Sequence, residues 1–66
     1  MWVICRESLD TGKVEFRGYM GKVVWTEEPN FFTIGYGKLM TLQKEMKRQC
    51  RDKRYRYFAE VVDAGH

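Results

Sequence analysis

The chain has 66 residues, twelve Lys/Arg against nine Asp/Glu, a formal net charge of +3 and 15% aromatic residues. That length holds one core and no second domain, and the aromatic content argues for a folded domain and against a disordered chain. One histidine (His66) and two cysteines (Cys5 and Cys50) without a CxxC exclude a zinc site built from this chain alone.

A domain this small buries about 60% of the surface its unfolded chain exposes, so its margin is thin. Trp2, Phe16, Trp25, Phe31, Phe32, Tyr57 and Phe58 supply ring surface to compensate. If that core is too small, a homodimer is the natural remedy. A Cys5–Cys50 disulfide is arithmetically open; two small buried thiols in a reducing cytosol are the expectation. The N-terminus lacks a basic segment, and its apolar run is too short for a signal peptide or membrane span. A soluble cytoplasmic protein with no membrane association is expected.

Trp2 to Glu7 reads as a strand, rich in large and β-branched residues. Ser8-Leu9-Asp10-Thr11-Gly12 supplies turn chemistry, with Asp10 bonding its own backbone and Gly12 taking a positive φ. Lys13 to Arg17 alternates strictly: Val14 and Phe16 point one way, and Lys13, Glu15 and Arg17 the other. Gly18-Tyr19-Met20-Gly21 interrupts, and Lys22 to Thr26 resumes as a strand or an extension of the second one. Glu27-Glu28-Pro29-Asn30 is a turn. Thr33 is a candidate N-cap, so the helix begins there or only at Gly37, since two early glycines oppose it.

The helix itself spans Lys38 to Lys53. Leu39, Leu42, Met46 and Cys50 make one apolar stripe, and cations collect in its last turns. Tyr55 to Val62 reads as the last strand: Tyr55, Tyr57, Ala59 and Val61 lie on one face, Phe58 and Val62 on the other. Residues 63–66 are expected to fray. The whole is a single α+β domain, residues 1–66. Its pattern is ββ(β)αβ: an antiparallel sheet of three to four strands, order 2-1-3, with one long basic helix on one face.

Charge is uneven. Residues 37–56 hold eight Lys/Arg and two acids, a local +6. The candidate partner-binding face is therefore Lys44, Lys47, Arg48, Arg51 and Arg54 on and after the helix. Tyr55, Tyr57 and Phe58 on the last strand are candidates for a partner or dimer surface, because one helix hides only one sheet face. Nucleic acid is one ligand such a face fits, through phosphates and stacked bases. An acidic protein surface is another, and a solvated helix face is the plain alternative. Gly18 to Gly21 and Gly35 to Gly37 lack phosphate-loop spacing. Thiol chemistry at Cys50 requires a lowered pKa, which Lys47 and Arg51 could supply, although its place on the stripe favours burial. The folded body has neither a histidine nor paired carboxylates, so no catalytic residue, metal or cofactor is predicted.

Several features together resemble small accessory proteins of phages and prophages. They are the aromatic-aliphatic first strand, the Thr11-Gly12 turn, the Trp25 to Glu28 step, the Phe31 to Thr33 helix start, the basic helix and the Glu60 to Val62 strand. Ile34 to Gly37 departs from the Ser/Glu-rich helix start of such proteins. The resemblance implies a non-enzymatic protein that binds and modulates a host protein in the host cytoplasm. It names no target. The alternatives are a small nucleic-acid-binding domain and a homodimeric structural subunit.

Overall fold

Trp2–Ser8 forms β1, Val14–Tyr19 β2, Val23–Thr26 β3, Leu39–Gln49 α1 and Tyr55–Val61 β4. They come from a computed structural model that describes residues 1–62. The frayed tail expected at residues 63–66 lies outside the described residues. The domain is α+β, with one antiparallel sheet in the order β3-β2-β1-β4 and one helix. The expected 2-1-3 order differs by one strand. The first strand does lie between the second and the last, and the short β3 adds to the outer edge of β2.

The β1–β2 turn closes through Ser8, whose amide donates to the Lys13 carbonyl at 2.9 Å. The Ser8 Oγ accepts the Asp10 and Thr11 amides, the capping role expected of Asp10. Gly12 takes φ +77°, as the turn requires.

Strand pairing sorts the side chains onto two faces. Cys5, Phe16 and Phe58 are paired across three strands, and so are Arg6, Glu15 and Tyr57. Paired residues point to the same side. Ile4, Arg6, Arg17, Trp25 and Tyr57 therefore share one face; Val3, Cys5, Phe16, Val24 and Phe58 share the other. The helix lies on the first, over β1 and β4, with Leu42 fully buried and Glu45 directed toward Arg17. Being central, β1 buries residues on both sides: Val3, Ile4 and Cys5 are completely covered.

The alternation of β2 is as expected, and the pairing decides its sides. Val14 and Phe16 face the side without a helix, and Arg17, on the helix side, is only 6% exposed. Its guanidinium donates to the Tyr36 hydroxyl at 3.4 Å and lies 4.0 Å from the Glu45 carboxylate. Those partners are what let a cation sit on the covered face.

β1 and β2 pair only from Cys5 to Glu7 and from Val14 to Phe16. Beyond that they part, and residues 33–36 fill the fork. Thr33 bridges Gly18, and Tyr36 bridges Trp2. Ile34 N donates to the Arg17 carbonyl at 3.0 Å, and Tyr36 exchanges two bonds with Trp2 at 2.7 and 2.8 Å. The chain enters this fork across Gly18, where a Cβ would lie 2.8 Å from the Phe32 carbonyl oxygen.

Thr33 is thus no N-cap. Its Oγ1 instead accepts the Asn30 amide at 2.8 Å, and α1 begins at Leu39 after an extended Lys38. The helix also stops at Gln49, four residues before the expected Lys53. Asp52 explains the early exit. Its carboxylate accepts the Arg54 amide at 3.0 Å and its carbonyl accepts the Tyr55 amide at 3.2 Å, a turn that competes with helix. Cys50 caps the end, so the apolar stripe keeps its residues but loses its last turn.

Gly18→Ala should destabilise the domain by about 1–3 kcal/mol in urea melts, as overpacking against backbone does. Gly37→Ala, with open space around it, should cost nothing. Equal melts for the two variants would contradict the crossing at Gly18.

Candidate functional site

The cations of the basic face differ in their bonding. Arg54 is held by Asp52 through two guanidinium nitrogens, the shorter contact at 2.6 Å. Arg48 pairs with Glu45 at 3.8 Å. Arg51 Nε donates to the Lys47 carbonyl at 3.2 Å and finishes the helix C-terminus. Among the described residues only Lys44 and Lys47, of the five predicted, have neither an acidic partner nor such a bond. They border a surface groove floored by Met40, Met46 and Cys50, with Met40 itself 68% exposed.

Tyr55, Tyr57 and Phe58 separate as alternation predicts. Tyr55 and Tyr57 lie on the helix side. There the Arg6 guanidinium is sandwiched, 4.3 Å from the Trp25 ring centre and 4.0 Å from that of Tyr55, and its Nε donates to Glu15 at 2.8 Å. Trp25 and Tyr57 pack at 6.1 Å between centroids. Phe58 lies on the open face beside Cys5, under Arg56, which is 4.8 Å from its ring and bonded to Glu7 at 2.9 Å.

The most exposed apolar cluster was not predicted. Tyr19, Met20 and Val23 end the β2–β3 hairpin, and Phe31 and Phe32 arrive beside them through the Tyr19 amide bond to the Phe32 carbonyl. All five are large and exposed, Phe31 at 96%. The two phenylalanines meet edge to face at 6.1 Å. Both were expected in the core. The signal that could have found them is their place directly after Pro29-Asn30, a turn signature, since turns lie at the surface.

The thiols are quiet. Cys5 is fully covered, and burial, with Glu60 adding, pushes it up to about 11. Burial and then Glu45 raise Cys50, outweighing Arg17 and Arg6, in line with its expected place on the apolar stripe and against activation by Lys47 and Arg51. Both thiols are free, one on each side of the sheet. Among the described residues no group of three His, Cys, Asp or Glu gathers to hold a metal, and no helix is long and apolar enough to cross a membrane. No protein-family model matches the chain, and neither a curated protein nor a solved structure is significantly similar to it.

Among the carboxylates, Asp52 is lowered well below its ordinary value. Its bonds from the Arg54 side chain and amide lower it from 3.8 to about 2. A carboxylate depressed on folding stabilises above its unfolded value, and that contribution fades as pH falls through the folded one. Asp52→Asn should therefore lower the thermal midpoint at pH 6, and the difference from wild type should shrink between pH 4 and pH 2. A pH-independent difference would rule out this charge as its source.

Proposed function

We propose that the chain is a non-enzymatic protein-binding module, anchored to its partner by the aromatic tip of Tyr19, Met20, Val23, Phe31 and Phe32. The observation that carries this reading is a phenylalanine left 96% exposed on a turn whose flanking residues, Asn30, Phe32 and Thr33, are hydrogen-bonded. Asn30 Oδ1 accepts the Phe32 amide at 2.9 Å, and Thr33 Oγ1 accepts that of Asn30. The rings are thus presented by a braced turn, so little ordering is left for binding to accomplish. Aromatic anchors in such positions commonly contribute 2 kcal/mol or more, roughly, to an interface. A projecting tip fits an apolar cavity in the partner. The phage-like features of the sequence make a host protein in the cytoplasm the natural partner.

A second contact has its own support. Lys44 and Lys47, without acidic partners among the described residues, border the Met40–Met46 groove. An acidic segment with an apolar residue suits that chemistry, since methionine adapts to varied shapes. Nucleic acid has less in its favour. Base stacking needs free ring faces near free cations. Trp25 and Tyr55 already sandwich Arg6, while the exposed rings gather at the β2–β3 hairpin, apart from the helix lysines.

Phe31→p-benzoylphenylalanine should give a light-dependent adduct with one discrete protein in a bacterial lysate, and the same replacement at Arg48 should not. Wild-type chain should compete for that adduct. The Phe31→Ala/Phe32→Ala chain should compete at least about 30-fold less well, the equivalent of roughly 2 kcal/mol. No adduct from position 31, or equal competition by the double variant, would overturn the tip as the anchor.

A further inference from the structure

The two edges of the sheet are unlike. β3 offers only four residues; β4 offers seven in unbroken register. Exposed edges are ordinarily protected by shortness, proline, a bulge or charges, lysine above all; of these β4 has only the charges Arg56 and Glu60, which are opposite in sign.

The ladder fixes which groups of β4 face outward. Met1 and Val62 exchange two bonds at 2.9 Å, and Leu9 N donates to the Arg54 carbonyl at 3.0 Å. Inward-turned residues alternate with outward ones along an antiparallel strand. Arg56, Phe58 and Glu60 therefore turn their backbone groups to β1, and Tyr55, Tyr57, Ala59 and Val61 turn theirs out. Among the described residues nothing hydrogen-bonds the outward backbone of Tyr57, Ala59 or Val61.

We infer that β4 pairs antiparallel with β4 of a second copy, about a two-fold axis at Phe58. Three independent features agree on this register. It overlaps all seven residues of the strand. It sets Tyr57 against Ala59 and Tyr55 against Val61 of the other copy, which are the outward-turned groups. It also places Arg56 opposite Glu60 of the other copy, twice, and opposite charges across a strand pair attract. Shifting the strand by two residues either way loses the charge pairs and shortens the overlap. A strand complementary to itself in length, hydrogen-bond phase and charge suits another copy better than a foreign strand.

The axis is perpendicular to the sheet, so both helices fall on one side and both open faces on the other. Phe58 meets its counterpart at the centre of an eight-stranded sheet, and the apolar faces carrying Cys5, Phe16 and Phe58 become continuous. This dimer leaves the aromatic tips free and differs from a face-to-face one.

The geometry sets the test. At a non-hydrogen-bonded antiparallel pair the Cα atoms lie about 4.5 Å apart, within disulfide reach. In a Cys5→Ala/Cys50→Ser background, which removes the thiol paired with both positions, Phe58→Cys should form a disulfide-linked dimer under mild oxidation. Phe16→Cys should not, because its copies stand roughly 24 Å apart, five strand spacings. Sedimentation should show Arg56→Glu weakening dimerisation at least tenfold, and Arg56→Glu/Glu60→Arg restoring it to within threefold. Because the double variant still lacks the Arg56–Glu7 bond, its recovery reports the contact between copies and not monomer stability. A monomeric Phe58→Cys, a Phe16→Cys that links as readily, or a double variant no better than the single one would overturn the pairing.

Discussion

The fork between β1 and β2 is the constraint from which the rest of the structure follows. Once the two strands part after Cys5 and Phe16, their inner backbone groups need partners, because buried amides and carbonyls are rarely left bare. The segment at Thr33 to Tyr36 supplies them on both sides. It can do so only if it stays extended, and an extended segment cannot begin a helix. The start of α1 at Leu39 is therefore set by strand pairing and not by helix propensity. The same insertion brings the Tyr36 hydroxyl to Arg17 and makes room for that cation beneath the helix. It also leaves Phe31 and Phe32 on the outside of the crossing, with the chain pressed against Gly18 where no side chain fits.

Two arginines sit inside this small domain, and their solutions differ. Arg6 lies flat between Trp25 and Tyr55 and is bonded to Glu15, so its charge meets a carboxylate and two ring faces. Guanidinium is suited to this by its planarity and weak hydration, and an ammonium would not replace it. Arg17 has a longer contact, 4.0 Å to Glu45, and leans on Tyr36. In return burial, with Glu45 adding and Arg17 opposing, raises the Tyr36 hydroxyl and keeps it neutral. These contacts leave Trp25, Tyr55 and Tyr57 half-buried against Arg6. The arginines that interleave with the tyrosines in sequence, Arg54 and Arg56, stay exposed and pair with Asp52 and Glu7.

The elements were legible where the pattern is local. Alternation in Lys13 to Arg17, the stripe of Leu39, Leu42 and Met46, and the double-faced last strand each mark a real element and the right class of fold. What was not legible is which face of an alternating strand lies under the helix. The alternation separates Val14 and Phe16 from Glu15 and Arg17 without saying which pair lies under the helix, because the decision belongs to partners far along the chain, Tyr36 and Glu45. The helix end was misjudged for a related reason. Asp52 is a tolerable helix residue by propensity, but its carboxylate had Arg54 within reach, and the turn won. Of the basic face only Lys44 and Lys47 stay without a bonding partner among the described residues, since charge counts cannot tell a committed cation from an idle one.

The small core connects the exposed tip to the bare strand edge. Only Val3, Ile4, Cys5 and Leu42 are fully buried apolar side chains among the described residues. A domain with so little interior has a modest margin of its own. Any surface that binds the folded state alone adds to that margin by mass action, by about 2.7 kcal/mol when the ligand stands at a hundred times its dissociation constant. For a chain of this size that increment is comparable with much of its intrinsic stability. If the pairings proposed above form, Phe31 at the tip and Phe58 on the open face serve folding through what covers them, and the stability of the domain rises with its own concentration and with that of a partner.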